Sequence, residues 1–274
     1  MEHNEPRAGS PAAARRALLA SAAAAALALP ARGARAREAM ALAAASSLRP
    51  ALDEVVAAFR AADGGGPVEI AYGASGNLAR QVVAGAPFRA FLAADEETVL
   101  QVHAAGLSRD AGRVYARGRL ALAARRGGAV AVDPRLEGLR AALEAGAVRR
   151  VAIANPALAP YGRAARQAME AAGAWPLAAQ RLALGESVAQ AAQFVVSGAA
   201  EAGFAALSTV LAPGLAERIV HATVDAALHA PIRHRMVLVG EPDARARLFL
   251  GFVLGPAARA IFARHGLEPP AEGE

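Results

Sequence analysis

The chain has 274 residues, a formal net charge of +6 and no cysteine, and all 30 of its basic residues are arginine. The missing cysteine excludes disulfides, thiolate metal sites and a cysteine nucleophile, and the missing lysine excludes Schiff-base chemistry and a Walker-type phosphate-binding lysine. Hydrophobic residues make up 55% of the chain but aromatic residues only 4%. We therefore expect a core of small side chains, in one large domain or two modest lobes.

The first 36 residues have the pattern of a cleaved export signal. Arg15 and Arg16 precede an apolar run over 17–30, and residues 34–36 form a small-x-small cleavage pattern. The run is shorter than the roughly 20 apolar residues that span a bilayer. The paired arginines favour the twin-arginine route, and Sec export stays open. Cleavage removes five arginines and two glutamates, so the net charge falls from +6 by 3 to +3. So mild a charge argues against nucleic acid as a partner.

Beyond the signal, strand-like apolar runs alternate with amphipathic helical patterns, which is typical of an α/β fold with mostly parallel sheets. The predicted strands cover 40–46, 68–75, 88–94, 119–127, 150–156, 200–208 and 231–240. The predicted helices cover 48–62, 76–85, 161–173, 186–198, 244–254 and 257–266.

A second α/β unit of the same organisation starts near residue 150, without a sequence repeat. The predicted first lobe comprises 37–118 and 230–274, and the predicted second lobe comprises 119–229. Two lobes joined by crossing strands leave a cleft between them, which is a common place for a small ligand.

Four predicted strand ends share one arrangement: a small or hydroxyl residue follows the strand, and a helix begins. Free backbone N–H groups and the positive end of the helix dipole let such a start bind an anion without a charged side chain. The alternative is that each serine only caps its helix. Two features favour anion binding over capping. A helix needs only one capping hydroxyl, yet Ser46 and Ser47 offer two side by side. Each predicted lobe also supplies two of the four helix starts, as an anion held from both sides would require. The four starts are Ser46-Ser47, Ser75-Gly76, Pro160-Tyr161-Gly162 and Ser187-Val188.

Other chemistries have little support. The sequence contains no G-x-S-x-G elbow, no H-E-x-x-H pair and no G-x-G-x-x-G loop after a strand. His229 and His234 would face opposite sides of a strand, and we expect both to be exposed or to have satisfied hydrogen bonds.

Five blocks of the chain resemble the periplasmic molybdate/tungstate-binding proteins of ABC importers, the ModA family. The resemblance spans nearly the whole mature chain and implies the type II periplasmic-binding-protein fold, with the ligand cleft between lobes. The third and fourth blocks are long and the most specific. The blocks are AAASSL (43–48), YGASGNLARQVVAGAP (72–87), AIANPALAPYGRAARQAMEAAGAW (152–175), GESVAQAAQFVVSGAAEAGFAALS (185–208) and PAARAIFARHG (256–266).

The resemblance also implies a ligand set. Serines would bind the oxyanion through hydroxyl and backbone N–H groups, and Val188 through its backbone N–H alone. These groups, Ser47, Ser75, Tyr161 and Val188 included, would contact the oxygens of the anion and are not direct metal ligands. Some relatives place a ligand tyrosine where this chain has Ala206; here the tyrosine lies in the NP-x-x-APYG loop. The implied set is Ser46, Ser47, Ser75, Tyr161 and Val188.

The resemblance implies an exported receptor that captures molybdate or tungstate and delivers the anion to an inner-membrane ABC permease. We expect a periplasmic monomer without catalytic activity and without a cofactor. Molybdate and tungstate are fully deprotonated dianions at neutral pH, so a site made only of donors suits them, whereas phosphate keeps a proton and needs an acceptor. The alternatives are a receptor for another oxyanion such as sulfate, a degenerate sensory relative, and an exported serine hydrolase.

Two positions depart from the family pattern. Arg89 and Arg235 stand where relatives usually carry acidic residues. Neither is an implied ligand. Both bear on the permease-facing surface or on lobe closure, and not on the choice of anion.

Overall fold

The computed structural model describes Met1, residues 38–215 and residues 217–273. Apart from Met1, the predicted export signal lies outside the described residues. The strands are β1 (Met40–Ala45), β2 (Val68–Gly73), β3 (Ala90–Leu92), β4 (Arg113–Gly118), β5 (Leu120–Arg125), β6 (Val151–Ala154), β7 (Leu182–Gly185), β8 (Ala202–Ala206), β9 (Ile219–Thr223) and β10 (Ile232–Leu238).

Ten α-helices and three short 3₁₀ turns accompany these strands in the described part of the chain. The 3₁₀ turns cover Ser46–Leu48, Ala179–Arg181 and Ala226–Leu228. The α-helices are α1 (Arg49–Asp63), α2 (Ser75–Val83), α3 (Glu97–Ala104), α4 (Glu137–Glu144), α5 (Pro160–Ala171), α6 (Trp175–Ala178), α7 (Val188–Ser197), α8 (Leu207–Val210), α9 (Ala244–Leu254) and α10 (Pro256–Arg264).

The strands form two five-stranded sheets of matching design. The first has the order β2-β1-β3-β10-β4, and the second has the order β7-β6-β8-β5-β9. We call each sheet with its helices a lobe. In the first lobe β1 is parallel to β2 and β3, while β10 is antiparallel to β3 and β4. In the second lobe β6 is parallel to β7 and β8, while β5 is antiparallel to β8 and β9.

Each sheet is therefore mixed, which refines the prediction of mostly parallel sheets. Four of the five strands in each sheet run in one direction, and one reversed strand makes two of the four neighbouring pairs antiparallel. The reversed strands are β5 and β10, which follow the two chain crossings between sheets. The predicted two-lobed α/β fold is confirmed.

The crossings lie between β4 and β5 and between β9 and β10. At the first crossing, β4 of the first sheet ends at Gly118 and β5 of the second sheet begins at Leu120. The predicted lobe limits at 118/119 and 229/230 stay a prediction, with the strands of each sheet falling on the expected side of them.

Alanine fills much of the interior, as the composition predicts. The inward face of α1 carries Leu52, Val55, Val56 and Phe59 at helical spacing, all buried. The ring of Phe59 meets that of Phe249 edge to face, with centroids 5.2 Å apart. The helix ends at a glycine in the left-handed conformation, Gly64, with φ of 86°.

Several elements were absent from the prediction: β4, β7, β9, α3, α4 and α6. All seven predicted strands are also shorter than expected, two of them by four residues. The run 88–94 forms a strand only over Ala90–Leu92, and the run 200–208 divides into β8 and the short helix α8. In both runs apolar residues continue past the strand because the following loop or helix is buried as well.

Within the described residues, no single helix has the length and apolar composition to cross a membrane. The bent pair α9 and α10 meets those two criteria only when its helices are taken together, across a 57° bend.

Candidate functional site

A small cavity lies where the starts of four helices converge between the two lobes. The space, including the part open to solvent, is about 190 Å³. All five residues implied by the resemblance lie in its wall, so the structure brings the whole predicted set together. The lining residues are Ala45, Ser46, Ser47, Gly73, Ala74, Ser75, Ala94, Ala159, Pro160, Tyr161 and Val188.

The first lobe presents Ser46 and Ser47 in the 3₁₀ turn that connects β1 to α1. Both residues are buried, and the Ser47 hydroxyl has no hydrogen-bond partner of regular geometry in the described structure. The alternative that a serine caps α1 does not hold. The extra 3₁₀ turn places Leu48 at the N-cap, with no side-chain cap, and Pro50 occupies the first helical turn, where an N–H would lack a helical partner. Capping therefore does not explain either hydroxyl.

Ser75 is the first residue of α2, separated from the end of β2 by Ala74 alone, and its side chain is buried. Its Oγ accepts the backbone N–H of Ala94, with an N–O distance of 3.0 Å. A serine hydroxyl has one proton and two lone pairs. Because the Ala94 bond uses a lone pair, the Ser75 proton remains available to an acceptor in the cavity.

The second lobe contributes Val188 and Tyr161. Val188 is the first residue of α7, so its N–H has no acceptor within the helix. Ser187 caps this helix by accepting the N–H of Gln190 at 3.4 Å, so at this start the capping alternative holds for the serine. Burial raises the pKa of the Tyr161 hydroxyl, an effect that the neighbouring Ser47 hydroxyl partly offsets. Tyr161 therefore stays protonated and able to donate at neutral pH.

The cavity wall is uncharged. None of the described lining residues is acidic or basic, and the polar groups are hydroxyls and backbone amides at helix starts. Nor do the described residues include any cluster of three histidine, aspartate or glutamate side chains that could hold a metal ion. The arrangement favours a small anion that accepts hydrogen bonds and donates none.

The lobes touch around the cavity. Gly76 N–H in α2 donates to the carbonyl oxygen of Leu158 in the loop before α5, at 2.9 Å. The hydroxyl of Ser208 in α8 donates to the carbonyl oxygen of Ser47, at 2.6 Å. These contacts join backbone that lines or adjoins the cavity, so the structure shows the lobes closed on each other.

An ion pair also crosses the cleft. The guanidinium of Arg163 in α5 bonds the carboxylate of Asp95, and it lies 3.7 Å from Glu97 at the start of α3. The Arg163 side chain is 35% exposed, so we assign this pair only a modest energy.

Sequence reasoning missed a histidine behind the cavity. His234, on β10, is fully buried, and its Nε2 lies 3.3 Å from the Tyr161 hydroxyl oxygen. Its Nδ1 has no partner in the described structure, so the expectation of an exposed or fully satisfied histidine is wrong. His229 does not share a strand with it, because β10 begins only at Ile232.

Gly118 was also missed. A Cβ at this position would lie 2.0 Å from the Tyr161 hydroxyl oxygen and 2.8 Å from His234 Nε2. The absence of a side chain at the end of β4 therefore makes room for both rings. Neither residue stands out in the sequence, because Gly118 ends an unpredicted strand and His234 lies 73 residues from Tyr161.

The two arginines that depart from the family pattern have different surroundings. Arg235 is 19% exposed; it donates to the Ala111 carbonyl at 2.8 Å and to Glu96 at 2.8 Å. It therefore ties β10 to other parts of the first lobe. Arg89 is 41% exposed and lies 4.0 Å from Glu38, which leaves it on the surface.

Comparison with known proteins agrees with this geometry. The profile of the bacterial extracellular solute-binding protein family matches residues 40–268. The chain is 34% identical over 207 residues to the molybdate-binding protein ModA of Azotobacter vinelandii, covering 74% of this chain and 80% of that protein. It is 33% identical over 243 residues to ModA of Rhodobacter capsulatus, covering 88% and 90% respectively.

A solved structure extends the likeness to the fold. The periplasmic molybdate-binding protein of Azotobacter vinelandii matches with a TM-score of 0.75 at 29% identity, covering 85% of this chain and 100% of that one. The resemblance predicted from the five sequence blocks is thus confirmed. Sequence and fold together place this chain in the ModA family of bacterial extracellular solute-binding proteins.

Proposed function

We propose that this protein binds molybdate or tungstate in the cavity between its lobes and delivers the anion to an ABC permease of the inner membrane. The observation that carries the proposal is the meeting of Ser46, Ser47, Ser75, Tyr161 and Val188 around one small, uncharged cavity. Molybdate-binding relatives that cover most of the chain support the choice of anion.

The donor set fits a fully deprotonated tetrahedral anion. Ser75 has its hydroxyl proton free, Tyr161 stays protonated, and Val188 offers a backbone N–H at a helix start. Hydrogen bonds to a charged group contribute roughly 1.5–3 kcal/mol each. About seven of them would supply on the order of 10–20 kcal/mol before the costs of association, against the roughly 12 kcal/mol of nanomolar binding.

The remaining parts of the proposal follow from the family. We propose a monomer that acts in the periplasm after removal of residues 1–36 and works without a cofactor. Catalysis has no support in the cavity, because His234, the histidine behind it, contacts a tyrosine and lacks the carboxylate partner of a hydrolytic triad.

Calorimetry on the mature protein, starting at Arg37, tests the ligand. Molybdate, tungstate, sulfate and phosphate are titrated separately, and thermal unfolding is followed with each. A ligand present at about 100 times its Kd adds roughly 2.7 kcal/mol to the stability. Binding of molybdate or tungstate well above sulfate supports the proposal; binding of sulfate without either overturns it in favour of the sulfate alternative.

Ser47→Ala tests the site. Because the Ser47 hydroxyl is buried without a regular partner, its removal should leave the stability of the empty protein unchanged or slightly raised. Molybdate affinity should fall about 10- to 100-fold, the loss of one hydrogen bond to a charged group. Ser197→Ala, at the exposed far end of α7, is the matched control and should change neither quantity. Unchanged molybdate affinity in Ser47→Ala would show that the anion binds elsewhere.

A further inference from the structure

Behind the cavity, one buried contact joins the two lobes through a histidine and a tyrosine. His234 belongs to β10 of the first lobe, and Tyr161 belongs to α5 of the second. The two side chains are buried, and their polar atoms are 3.3 Å apart. Nothing else in the described structure forms a hydrogen bond with the His234 ring.

The unpartnered Nδ1 decides which nitrogen carries the proton. A neutral imidazole has one N–H donor and one lone-pair acceptor. With the proton on Nδ1, a buried N–H would be left without an acceptor, which native structures rarely tolerate. With the proton on Nε2, only a lone pair is left unmet, which is tolerated more often. His234 therefore carries its proton on Nε2.

The direction of the hydrogen bond follows from that tautomer. Nε2–H donates to the Tyr161 oxygen, so this oxygen acts as the acceptor toward His234 and the phenolic proton points elsewhere. The remaining directions hold the Ser47 hydroxyl and the cavity, whose wall both residues form. His234 does not reach the cavity itself, since it is not one of the lining residues.

We infer that His234 is a positioning residue for anion selection, which holds Tyr161 as a hydrogen-bond donor toward the cavity. The inference rests on the proposed function and deepens it. With its oxygen already accepting from His234, Tyr161 turns its proton toward the cavity, which suits a fully deprotonated dianion. An anion that still carries a proton gains less, because His234 competes with that proton for the Tyr161 oxygen.

Two replacements of His234 separate positioning from packing. His234→Phe fills a similar volume but cannot donate, whereas His234→Gln keeps an N–H that can reach the Tyr161 oxygen. We expect His234→Phe to weaken molybdate binding by about 2- to 10-fold, the range for one neutral hydrogen bond, and His234→Gln to retain most of the affinity. The ratio of the phosphate Kd to the molybdate Kd should fall in His234→Phe only.

Tyr161→Phe completes the experiment, since His234 is inferred to act through the Tyr161 hydroxyl. In that background, adding His234→Phe should have no further effect on molybdate affinity. An equal loss in both backgrounds overturns the inference, as does an unchanged affinity in His234→Phe alone. Thermal unfolding without anion verifies that each variant is folded. If His234→Phe fails to fold, His234→Gln is compared with wild type instead. Loss of the molybdate preference in a folded His234→Gln protein then contradicts the inference.

The wild-type titration distinguishes failure of the proposed function from failure of the inference about His234. If wild-type protein binds neither molybdate nor tungstate, the proposed function fails, and the inference falls with it. If wild type binds and the His234 variants behave like it, only the inference fails.

Discussion

Gly76→Ala should weaken anion binding while leaving the empty protein at least as stable as wild type. Gly76 is the second residue of α2, and its N–H donates to Leu158 of the opposite lobe. A Cβ at Gly76 would lie 3.0 Å from the Leu158 carbonyl oxygen and 3.3 Å from its Cα. Both atoms belong to backbone, which cannot rotate away as a flexible side chain can.

The size of the effect follows from these distances. An ordinary Cβ contact needs 3.4 Å or more, so the lobes must stay apart by a few tenths of an ångström. The 2.9 Å hydrogen bond between Gly76 and Leu158 then stretches past the favourable range. Losing most of one neutral hydrogen bond costs about 0.5–1.5 kcal/mol, or roughly 2- to 10-fold in affinity. Alanine in a helix is favoured over glycine by up to about 1 kcal/mol, which stabilises the empty protein.

Calorimetry with molybdate, stopped-flow dissociation and thermal unfolding of the empty protein together measure the effect. We expect faster dissociation, because the closed state is the one that loses a contact. Gly251→Ala is the matched control: it lies inside α9, and a Cβ there would meet no atom within 4 Å. It should gain similar stability with no change in affinity. If Gly76→Ala binds molybdate as tightly as Gly251→Ala does, the contact between Gly76 and Leu158 plays no part in closure.

Three further outcomes are expected. Gly118→Ala should reduce molybdate affinity more than Gly76→Ala does, since its Cβ would meet the Tyr161 hydroxyl at 2.0 Å and displace that donor; titration showing wild-type affinity would contradict the placement of Tyr161. Burial lowers the pKa of His234 to about 3, so the folded protein binds fewer protons there than the unfolded chain. The contribution of neutral His234 to the free energy of unfolding is complete above the ordinary pKa of 6.5. This contribution is lost as the pH falls toward 3, by up to about 1.4 kcal/mol per pH unit. Tyr115 and Tyr161, whose rings flank it, do not titrate in this range, and denaturant unfolding from pH 7 to 5 should show a shallower slope in His234→Gln; equal slopes would refute the assignment. Arg163→Leu removes the ion pair across the cleft and should weaken affinity by no more than about 5-fold, less at high salt; a larger loss that persists in 1 M salt would mean that Arg163 does more than pair with its acidic neighbours.

The repeating local patterns allowed much of the fold to be predicted. The apolar face of α1 is visible as Leu52, Val55, Val56 and Phe59, because helical periodicity depends only on neighbours along the chain. The buried run of β1 is similarly clear. By contrast, β4 and β9 pair with strands far away in sequence, and their residues RVYARG and IVHAT mix polar with apolar positions. Such strands owe their place to tertiary pairing more than to local preference.

For the candidate site, the sequence indicated which helix starts meet but not the packing that surrounds them. Ser46, Ser47 and Ser75 were recognisable because each follows an apolar run and precedes a helical pattern. The donor role of Tyr161 depends on His234, and the space for both depends on Gly118; these relations exist only after the chain folds. The alternative of serine capping fails at α1 for a similar reason, since a single 3₁₀ turn moves the start of that helix beyond both Ser46 and Ser47.

The uncharged cavity wall bears on the net charge of the closed, occupied protein. A bound dianion changes the net charge of the molecule by two, and no arginine or lysine in the described wall offsets that charge locally. The mature chain predicted from the sequence, at +3 from its composition, would become +1 on loading, a change large enough to alter its migration in a native gel. When the lobes part, the serines leave with one lobe and Tyr161 and Val188 with the other. Neither half then retains a fixed positive charge in the wall to hold the anion back, so we expect opening of the lobes to release the anion.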